Sequence, residues 1–287
     1  MRIFKIITTV TGAAALYGLW QLQELMHFNR TYYTVHSEKL KARHRFVVLA
    51  DLHLWRYGRH NRRLLAAIRE EAPEAIFLPG DLIVHTKPER FFVAEELMRE
   101  LVRIAPVYFS NGNHESRLEC PGNENYEAYQ ALKKRMRVLG VHILNNCERV
   151  LSSGGDRIVV HGLELPLYYY KKGCERPLAP NELTRCLGRA DTDDFHVLLA
   201  HTPKYTSDYF SWGADLCLSG HYHGGLVCIP GIGSVVSPQL ELFPRYSFGR
   251  YEKDGHVSLV SRGMGTHTFH IRIFNRSELL VVTASGE

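Results

Sequence analysis

The sequence predicts an α/β protein, because short apolar runs alternate with amphipathic stretches along most of the chain. The apolar runs are continuous in Val, Ile, Leu and Phe, which is typical of strands that are covered on both faces. Polar residues gather where these runs end, and α/β proteins bind ligands at the carboxyl ends of their strands.

From residue 45 onward the predicted strands and helices take turns. In chain order they are 45–53, 61–73, 75–81, 88–104, 106–115 and 126–140. Pro73 ends the first helix, Pro88 suits the first turn of the second, and Gly140 suits the C-cap of the third. Further strands are expected within 156–165, 195–203 and 214–223. Terminal β structure follows, and 163–194 is an excursion of loops with one short helix.

The N-terminus carries a run without charged residues from Ile6 to Gln23. A membrane-spanning helix needs about 17 to 25 apolar residues. We therefore expect three parts: a membrane anchor at 1–28, a basic juxtamembrane linker at 29–44 and the main domain at 45–287. A buried domain helix and a cleaved signal peptide are the alternatives, and the side of the membrane stays open.

The bulk composition is that of an ordinary globular protein of 287 residues, with 45% hydrophobic and 23% charged residues. A net charge of +5 without a concentrated basic stripe argues against a dedicated nucleic-acid binder. The six cysteines form no CxxC pair, which excludes a zinc ribbon and gives no disulfide framework. We expect a monomer without a specific nucleic-acid partner.

Five of the predicted strands end in residues that can bind metal ions. The five ends are Asp51-Leu52-His53, Gly80-Asp81, Gly112-Asn113-His114-Glu115, His201 and Gly220-His221-Tyr222-His223. Each is weak alone, since Asp-x-His is more often a surface turn and a lone histidine more often a core residue. Together, the oxygen and imidazole donors suit manganese, iron or zinc better than calcium. There are too many for one four-coordinate ion, so two ions that share a carboxylate are expected.

This ordered set of motifs resembles the calcineurin-like metallophosphoesterases over about residues 45 to 225. Within that family the chain looks most like a membrane-anchored bacterial branch of phosphodiesterase-like proteins, with Tyr222 where that branch has Thr in GHTHGG. The resemblance implies a four-layer αββα sandwich, in which two mixed β-sheets are flanked by helices, and this fold would occupy 45–287.

The resemblance also implies a role for each motif residue. One divalent ion would be held by Asp51, His53, Asp81 and His223, and the second by Asp81, Asn113, His201 and His221. A water between the ions would attack phosphorus, and His114 would protonate the leaving oxygen. Trp55, Arg56 and Tyr222 are candidate substrate contacts because of their places beside the motifs.

The predicted function is hydrolysis of a phosphodiester or pyrophosphate by a binuclear metal centre. The expected anchor favours a membrane-proximal or lipid-linked substrate, of which UDP-diacylglucosamine is one candidate type. A nuclease or a soluble nucleotide phosphodiesterase is the enzymatic alternative. A non-catalytic metal-binding scaffold of the same fold is a third possibility, although here every motif position is filled.

Overall fold

The computed structural model describes residues 2–171, 173, 176–191, 193–229, 231–238, 241–266 and 270–286, with 2–10, 13 and 14 described by their backbone only. Helices and strands alternate through the first half, and strands predominate after residue 214. The helices are α1 Arg2–Met26, α2 Arg62–Glu71, α3 Phe92–Leu101, α4 Asn113–Leu118, α5 Tyr126–Val138, α6 Glu182–Leu187 and α7 Thr206–Trp212. Short 3-10 helices cover Arg59–Asn61, Pro88–Arg90, Leu167–Tyr170 and Pro203–Tyr205.

Most of the strands belong to two sheets. The strands in chain order are β1 Phe28–His36, β2 His44–Val48, β3 Ala75–Pro79, β4 Val107–Ser110, β5 His142–Ile143, β6 Cys147–Ser153, β7 Asp156–Leu163, β8 Phe195–Ala200, β9 Leu216–Ser219, β10 Val227–Ile229, β11 Gly233–Val236, β12 Gly249–Lys253, β13 His256–Val260 and β14 Ser277–Ser285. Only the β10–β11 hairpin, among the described strands, lies outside them.

Both six-stranded sheets are mixed. The first has the order β1-β14-β2-β3-β4-β5, with β14 antiparallel to β2 and the other pairs parallel. The second has the order β12-β13-β9-β8-β7-β6, with antiparallel pairs at its two edges and parallel pairs between them. The parallel strands β2, β3 and β4, and likewise β8 and β9, therefore end at one edge of their sheet.

Three apolar clusters show how the layers pack. One lies between the first sheet and α2, α3 and α5, and includes Ile76, Leu97 and Met136. A second fills the space between the sheets, with Phe77 from β3 facing the β8 layer that contains Val197. The third packs α6 and α7 on the second sheet. The predicted arrangement of two mixed sheets flanked by helices is thus confirmed.

The third predicted strand ends earlier than expected. The sequence predicted a strand over 106–115, but β4 stops at Ser110 and helix α4 begins at Asn113. Glu115 explains the change, because its carboxylate accepts a hydrogen bond from the N–H of Gly112 (2.9 Å) at the N-terminus of this helix. The motif Gly-Asn-His-Glu is therefore a helix start rather than the end of an extended strand.

The predicted membrane anchor is wrong. Residues 2–26 form one helix, but in the part of the chain that the structure describes no helix is long and apolar enough to cross a membrane. Threonines and glycines lower the hydropathy of the apolar run, and polar residues follow it. The end of the helix contacts the main domain, where Gln21 binds the backbone of Arg272 and Arg276 donates to Glu24.

The predicted linker at 29–44 contains an edge strand of the first sheet. Strand β1 pairs in parallel with β14 from Phe28 opposite Ser277 to His36 opposite Ser285. Its alternating half-buried and exposed residues explain why no continuous apolar run marked it in the sequence. The boundary at residue 45 therefore does not separate a linker from the folded domain.

Candidate metal centre

The residues at the five strand ends come together where the carboxyl ends of strands from both sheets meet. Loops after β2, β3 and β4 bring residues from the first sheet, and loops after β8 and β9 bring residues from the second. The eight side chains are all buried: Asp51, His53, Asp81, Asn113, His114, His201, His221 and His223. The structure therefore places every predicted ligand and the predicted proton donor at one site.

Possible ligand atoms of these side chains form three overlapping groups, each within 4.8 Å. The groups are Asp51, His53 and His223; His53, Asp81 and His114; and Asp81, His201 and His221. Nε2 of His53 lies 3.1 Å from Nε2 of His223, and Nε2 of His201 lies 3.1 Å from Oδ2 of Asp81. Atoms bound to one ion at about 2.0 to 2.2 Å have spacings of this size.

Three of the histidines are oriented by backbone carbonyl groups. Because a carbonyl oxygen only accepts, each Nδ1 must carry its proton, and Nε2 is left for a metal ion. The pairs are His53 with Ile83 (3.3 Å), His201 with Pro79 (2.8 Å) and His223 with Gly265 (3.1 Å). The imidazoles are thereby set in the tautomer that a metal ligand requires.

Asn113 contributes a buried oxygen that lacks a partner among the described residues. Its side chain is 7% exposed, and among the described residues Oδ1 accepts no hydrogen bond. An unsatisfied buried amide oxygen costs free energy unless something else binds it. Its place at the start of α4, beside Asp81, suits a neutral oxygen ligand for a cation.

Five of these residues have a left-handed backbone. Their φ angles are 51° at Asp51, 46° at His53, 52° at Asp81, 72° at His221 and 51° at His223. Such a conformation is unfavourable for residues other than glycine, roughly 1 kcal/mol or more each, and it gathers at functional sites. The strand ends therefore turn sharply so that successive side chains point into the same space.

Two glycines let the carboxylates approach the backbone. A Cβ atom on Gly112 would lie 2.2 Å from Oδ1 of Asp81, and one on Gly220 would lie 2.3 Å from Oδ2 of Asp51. In both cases the N–H of the following loop binds the same carboxylate, from His114 to Asp81 (2.9 Å) and from His221 to Asp51 (3.0 Å). The motif glycines are thus required by contact with the acids.

The comparison with known families agrees with this geometry. Residues 44–225, more than half of the chain, match the calcineurin-like phosphoesterase family. The chain belongs to the calcineurin-like phosphoesterases. Members of this family hydrolyse phosphoester bonds with divalent metal ions, so the predictions of family, of a hydrolase and of divalent metal cofactors are confirmed.

Curated relatives of this calcineurin-like phosphoesterase include two bacterial proteins. The uncharacterized metallophosphoesterase YkuE of Bacillus subtilis is 25% identical over 243 residues, which cover 83% of this chain and 78% of YkuE. Phosphodiesterase YaeI of Escherichia coli is 22% identical over 240 residues, which cover 83% of this chain and 81% of YaeI. Among solved structures, the phosphopantetheinyl hydrolase PptH of Mycobacterium tuberculosis aligns with a TM-score of 0.45 and 15% identity over 76% of this chain and 89% of PptH.

The two central carboxyl groups respond oppositely to their surroundings. Burial, together with the charge of Asp81, raises the pKa of Asp51 to about 7, although His201 acts in the opposite direction. For Asp81 burial is outweighed by neighbouring histidines, chiefly His201, and its pKa lies well below the usual range. Conversely, Asp81 and Asp51 outweigh the effect of burial on His201 and raise its pKa to about 9. The carboxyl groups of Asp51 and Asp81 therefore form a site at which a positive charge is favoured.

His221 differs from His201, although the two rings are neighbours. Their centroids lie 5.1 Å apart, and burial with the charge of His201 lowers the pKa of His221 to about 3. A neutral imidazole is the form that coordinates a metal ion. Tyr170 packs edge-on against His221, with centroids 5.2 Å apart.

Glu115 supports the loop rather than facing the metal groups. Its two oxygens accept backbone N–H bonds from Asp81 (3.0 Å), Ile83 (3.0 Å) and Gly112 (2.9 Å). Burial and the charge of Asp81 nevertheless raise its pKa to about 8. The carboxyl group thus ties the end of β3 to the start of α4.

His114 has a partner that the motif analysis missed. Its Nδ1 lies 3.3 Å from the backbone N of His85 and 3.0 Å from Nδ1 of the same residue. Because Nδ1 faces His85, Nε2 is the nitrogen of His114 that can hold a proton towards a substrate. No motif position marks His85, and only the loop after β3 brings it there.

The three predicted substrate contacts have different surroundings. Trp55 and Arg56 line a cavity that reaches His53, and Arg56 is paired with Glu96 (2.6 Å). Tyr222 is only 5% exposed, and its hydroxyl group bonds to Glu241. This placement does not support direct substrate contact by Tyr222, because the position between two ligands turns its ring into the protein.

Arg272 is a further residue that sequence reasoning missed. Its guanidinium group is buried and donates to the carbonyl oxygens of Arg262, Gly263, Gly265 and Asn275. One of these carbonyls also orients His223. The residue lies in a terminal loop without a motif, so only the folded chain connects it with the site.

Proposed function

We propose that this calcineurin-like phosphoesterase cleaves a phosphodiester or pyrophosphate bond with two divalent metal ions. The observation that carries the proposal is that Asp81 belongs to two groups of possible ligands, one with His53 and His114 and one with His201 and His221. His53 in turn belongs to a third group, with Asp51 and His223. A carboxylate shared by two ions reduces the repulsion between them at a separation of about 3.5 to 4 Å.

The proposed ligand sets use seven of the eight buried side chains at the site and leave His114 as the proton donor. Asp51, His53, Asp81 and His223 would hold one ion, and Asp81, Asn113, His201 and His221 would hold the other. Manganese, iron and zinc suit this mixture of oxygen and nitrogen donors. The unsatisfied oxygen of Asn113 and the backbone-oriented histidines support this assignment.

The protein would position the substrate and protonate its leaving oxygen. The two ions, when bound, would supply a Lewis acid and an activated water. Burial excludes bulk water from the ligands and strengthens their interactions with the charge that develops on phosphorus. His114, held through Nδ1 by His85, would deliver a proton from Nε2 to the leaving oxygen.

The expectation of a lipid-linked substrate is no longer supported. A lipid-linked substrate was expected because of the predicted membrane anchor, and that anchor is wrong. The similarity to a protein named a phosphodiesterase, YaeI, favours a phosphodiester. A nucleotide phosphodiesterase therefore stands beside a pyrophosphatase as a candidate, and the charge distribution still argues against long nucleic acids.

The test is hydrolysis by the full chain after loading with Mn²⁺. We expect release of p-nitrophenol from bis(p-nitrophenyl) phosphate that is abolished by a chelator and restored by Mn²⁺. An Asp81→Asn variant should lose at least about two orders of magnitude in kcat/KM, whereas Asp254→Asn, at a remote turn, should match the wild type. Hydrolysis that is unaffected by Asp81→Asn would contradict the proposal.

A further inference from the structure

A cavity of about 280 Å³ opens beside the metal-ligand candidate His53. Its walls come from the loop after β2, with Trp55 and Arg56, and from the segment after β3, with Lys87 and Arg90. Ligand pockets usually measure about 300 to 1,000 Å³, so this one suits a compact group rather than a long chain. Its place next to His53 is where a group leaving phosphorus could depart.

The charged residues that line the cavity are basic. No acid lies among the described lining residues, which include three cations. Arg56 is neutralised by Glu96 (2.6 Å), and Arg90 donates to a neutral acceptor, the carbonyl oxygen of Leu54 (3.3 Å). Lys87 is half-buried and enters no ion pair with the described residues. Two positive charges, that of the half-buried Lys87 and that of the exposed Arg90, therefore line the cavity without a counter-ion among the described residues.

We infer that this cavity binds an anionic leaving phosphate, so that the substrate carries a phosphoric anhydride bond. The inference rests on the proposed function and chooses between its two bond types. A neutral alcohol would leave the ammonium group of Lys87 partly desolvated and unpaired, which is costly. A second phosphate matches both its charge and the guanidinium group of Arg90.

The reaction that follows balances without a further reagent. A water oxygen forms the new bond to phosphorus, and the bond from that phosphorus to the bridging anhydride oxygen breaks. The electron pair of the broken bond stays on the bridging oxygen, which becomes part of the departing phosphate. This oxygen is stable as an anion, so it departs without the proton that His114 would give to an alkyl leaving group, and the proton lost by water passes to the solvent. The departing phosphate gains one negative charge beside Lys87 and Arg90.

Trp55 adds an aromatic wall to the same cavity. Its ring centroid lies 5.9 Å from that of His270, with an interplanar angle of 36°. Both rings line the cavity together with the cationic side chains. A planar group attached to the leaving phosphate could contact Trp55 while its phosphate binds Lys87.

The test compares two substrates that share an adenosine 5′-phosphoryl group and differ in the leaving group. They are diadenosine 5′,5′-pyrophosphate and the methyl ester of adenosine 5′-monophosphate, whose leaving group is a neutral alcohol, assayed with the Mn²⁺-loaded full chain. In Lys87→Gln, the ratio of kcat/KM for the pyrophosphate to kcat/KM for the ester should fall about tenfold, as expected for a lost charge-assisted contact. Lys134→Gln, which removes an exposed lysine of α5, should leave the ratio unchanged. An unchanged ratio in Lys87→Gln overturns the inference.

A binding measurement separates this inference from the proposed function. If the wild type hydrolyses neither substrate, the proposed function fails, and calorimetry with inorganic pyrophosphate and metal-free full chain decides about the cavity. We expect binding that weakens about tenfold in Lys87→Gln and is kept in Lys134→Gln. Absence of binding, or equal binding by Lys87→Gln and the wild type, overturns the assignment of the cavity.

Discussion

The side chain of Gln21 in α1 forms two hydrogen bonds with the backbone of Arg272. Its amide nitrogen donates to the carbonyl oxygen (3.1 Å), and its amide oxygen accepts from the N–H group (3.0 Å). The guanidinium group of Arg272 in turn donates to the carbonyl oxygen of Gly265 (2.9 Å), which also accepts from Nδ1 of His223 (3.1 Å). The N-terminal helix is thus connected to a candidate metal ligand.

We expect Gln21→Ala to lower the free energy of unfolding by about 1 to 3 kcal/mol, because it leaves two buried backbone groups of Arg272 unpaired. It should also weaken binding of one of two Mn²⁺ ions, since the carbonyl group that orients His223 becomes less fixed. Denaturant unfolding and metal titration measure the two effects. Gln23→Ala, an exposed position of the same helix, is the matched control. Equal results for both variants would exclude the connection.

A second prediction concerns His44, which is buried between two acids. Nδ1 lies 2.9 Å from Glu74 and Nε2 lies 2.9 Å from Asp156, the first residue of β7 in the other sheet. Burial lowers the pKa of His44, but the hydrogen bonds to Glu74 and Asp156 outweigh it and raise the pKa above 6.5. Both acids have pKa values below their usual range, because their hydrogen bonds outweigh burial.

The sign of the pH dependence follows from these shifts. A raised pKa of His44 in the folded state stabilises the protein below about pH 6.5, and this stabilisation is lost as the pH rises through the folded pKa. The lowered pKa values of the acids stabilise it above about pH 4, and that contribution is lost on acidification. The free energy of unfolding of the wild type relative to His44→Gln should therefore be largest between these limits and fall above about pH 6.5. His36→Gln, at an exposed strand end, should follow the wild type, and parallel pH curves for wild type and His44→Gln would refute the account.

The third prediction tests His114 as a proton donor. His114→Ala should lower kcat by about 10²- to 10⁴-fold for a diester with an alkyl leaving group. The loss should be much smaller when the leaving group is p-nitrophenol, which departs as a stable anion. Metal content should stay that of the wild type, because the proposed ligands are intact. An equal loss for both leaving groups would assign His114 a role in metal binding or folding instead.

How much of the fold can be predicted from the sequence depends on which of its stabilising interactions are local. The helices α2 and α5 fall within one or two residues of their predicted starts, because apolar periodicity and the Pro and Gly signals are local properties. Strand β1 was missed, since its stability depends on pairing with β14 some 250 residues later in the chain, a contact that no local pattern records. The N-terminal helix was wrongly predicted to be a membrane anchor for the same reason, because Gln21 gains its partner only when the terminal loop folds.

The candidate site, too, was predictable from the sequence only in part. The ligand types and their order after the strands were visible in the sequence, and the fold brings Asp51, Asp81 and His201 to one place. Residues that act through these ligands were not visible. His85 and Arg272 belong to no motif, and their importance arises from hydrogen bonds to a motif residue or to the carbonyl group that supports one.

The number of metal ions bound per chain tests the central claim most directly. After loading with Mn²⁺ and removal of free ions, elemental analysis should give about two ions per wild-type chain, since two ligand groups share Asp81. Asn113→Ala should retain about one ion, because it alters only one of the groups, and Asp81→Ala should retain less than one. A single ion in the wild type, or two ions retained in Asp81→Ala, would contradict a metal pair bridged by Asp81.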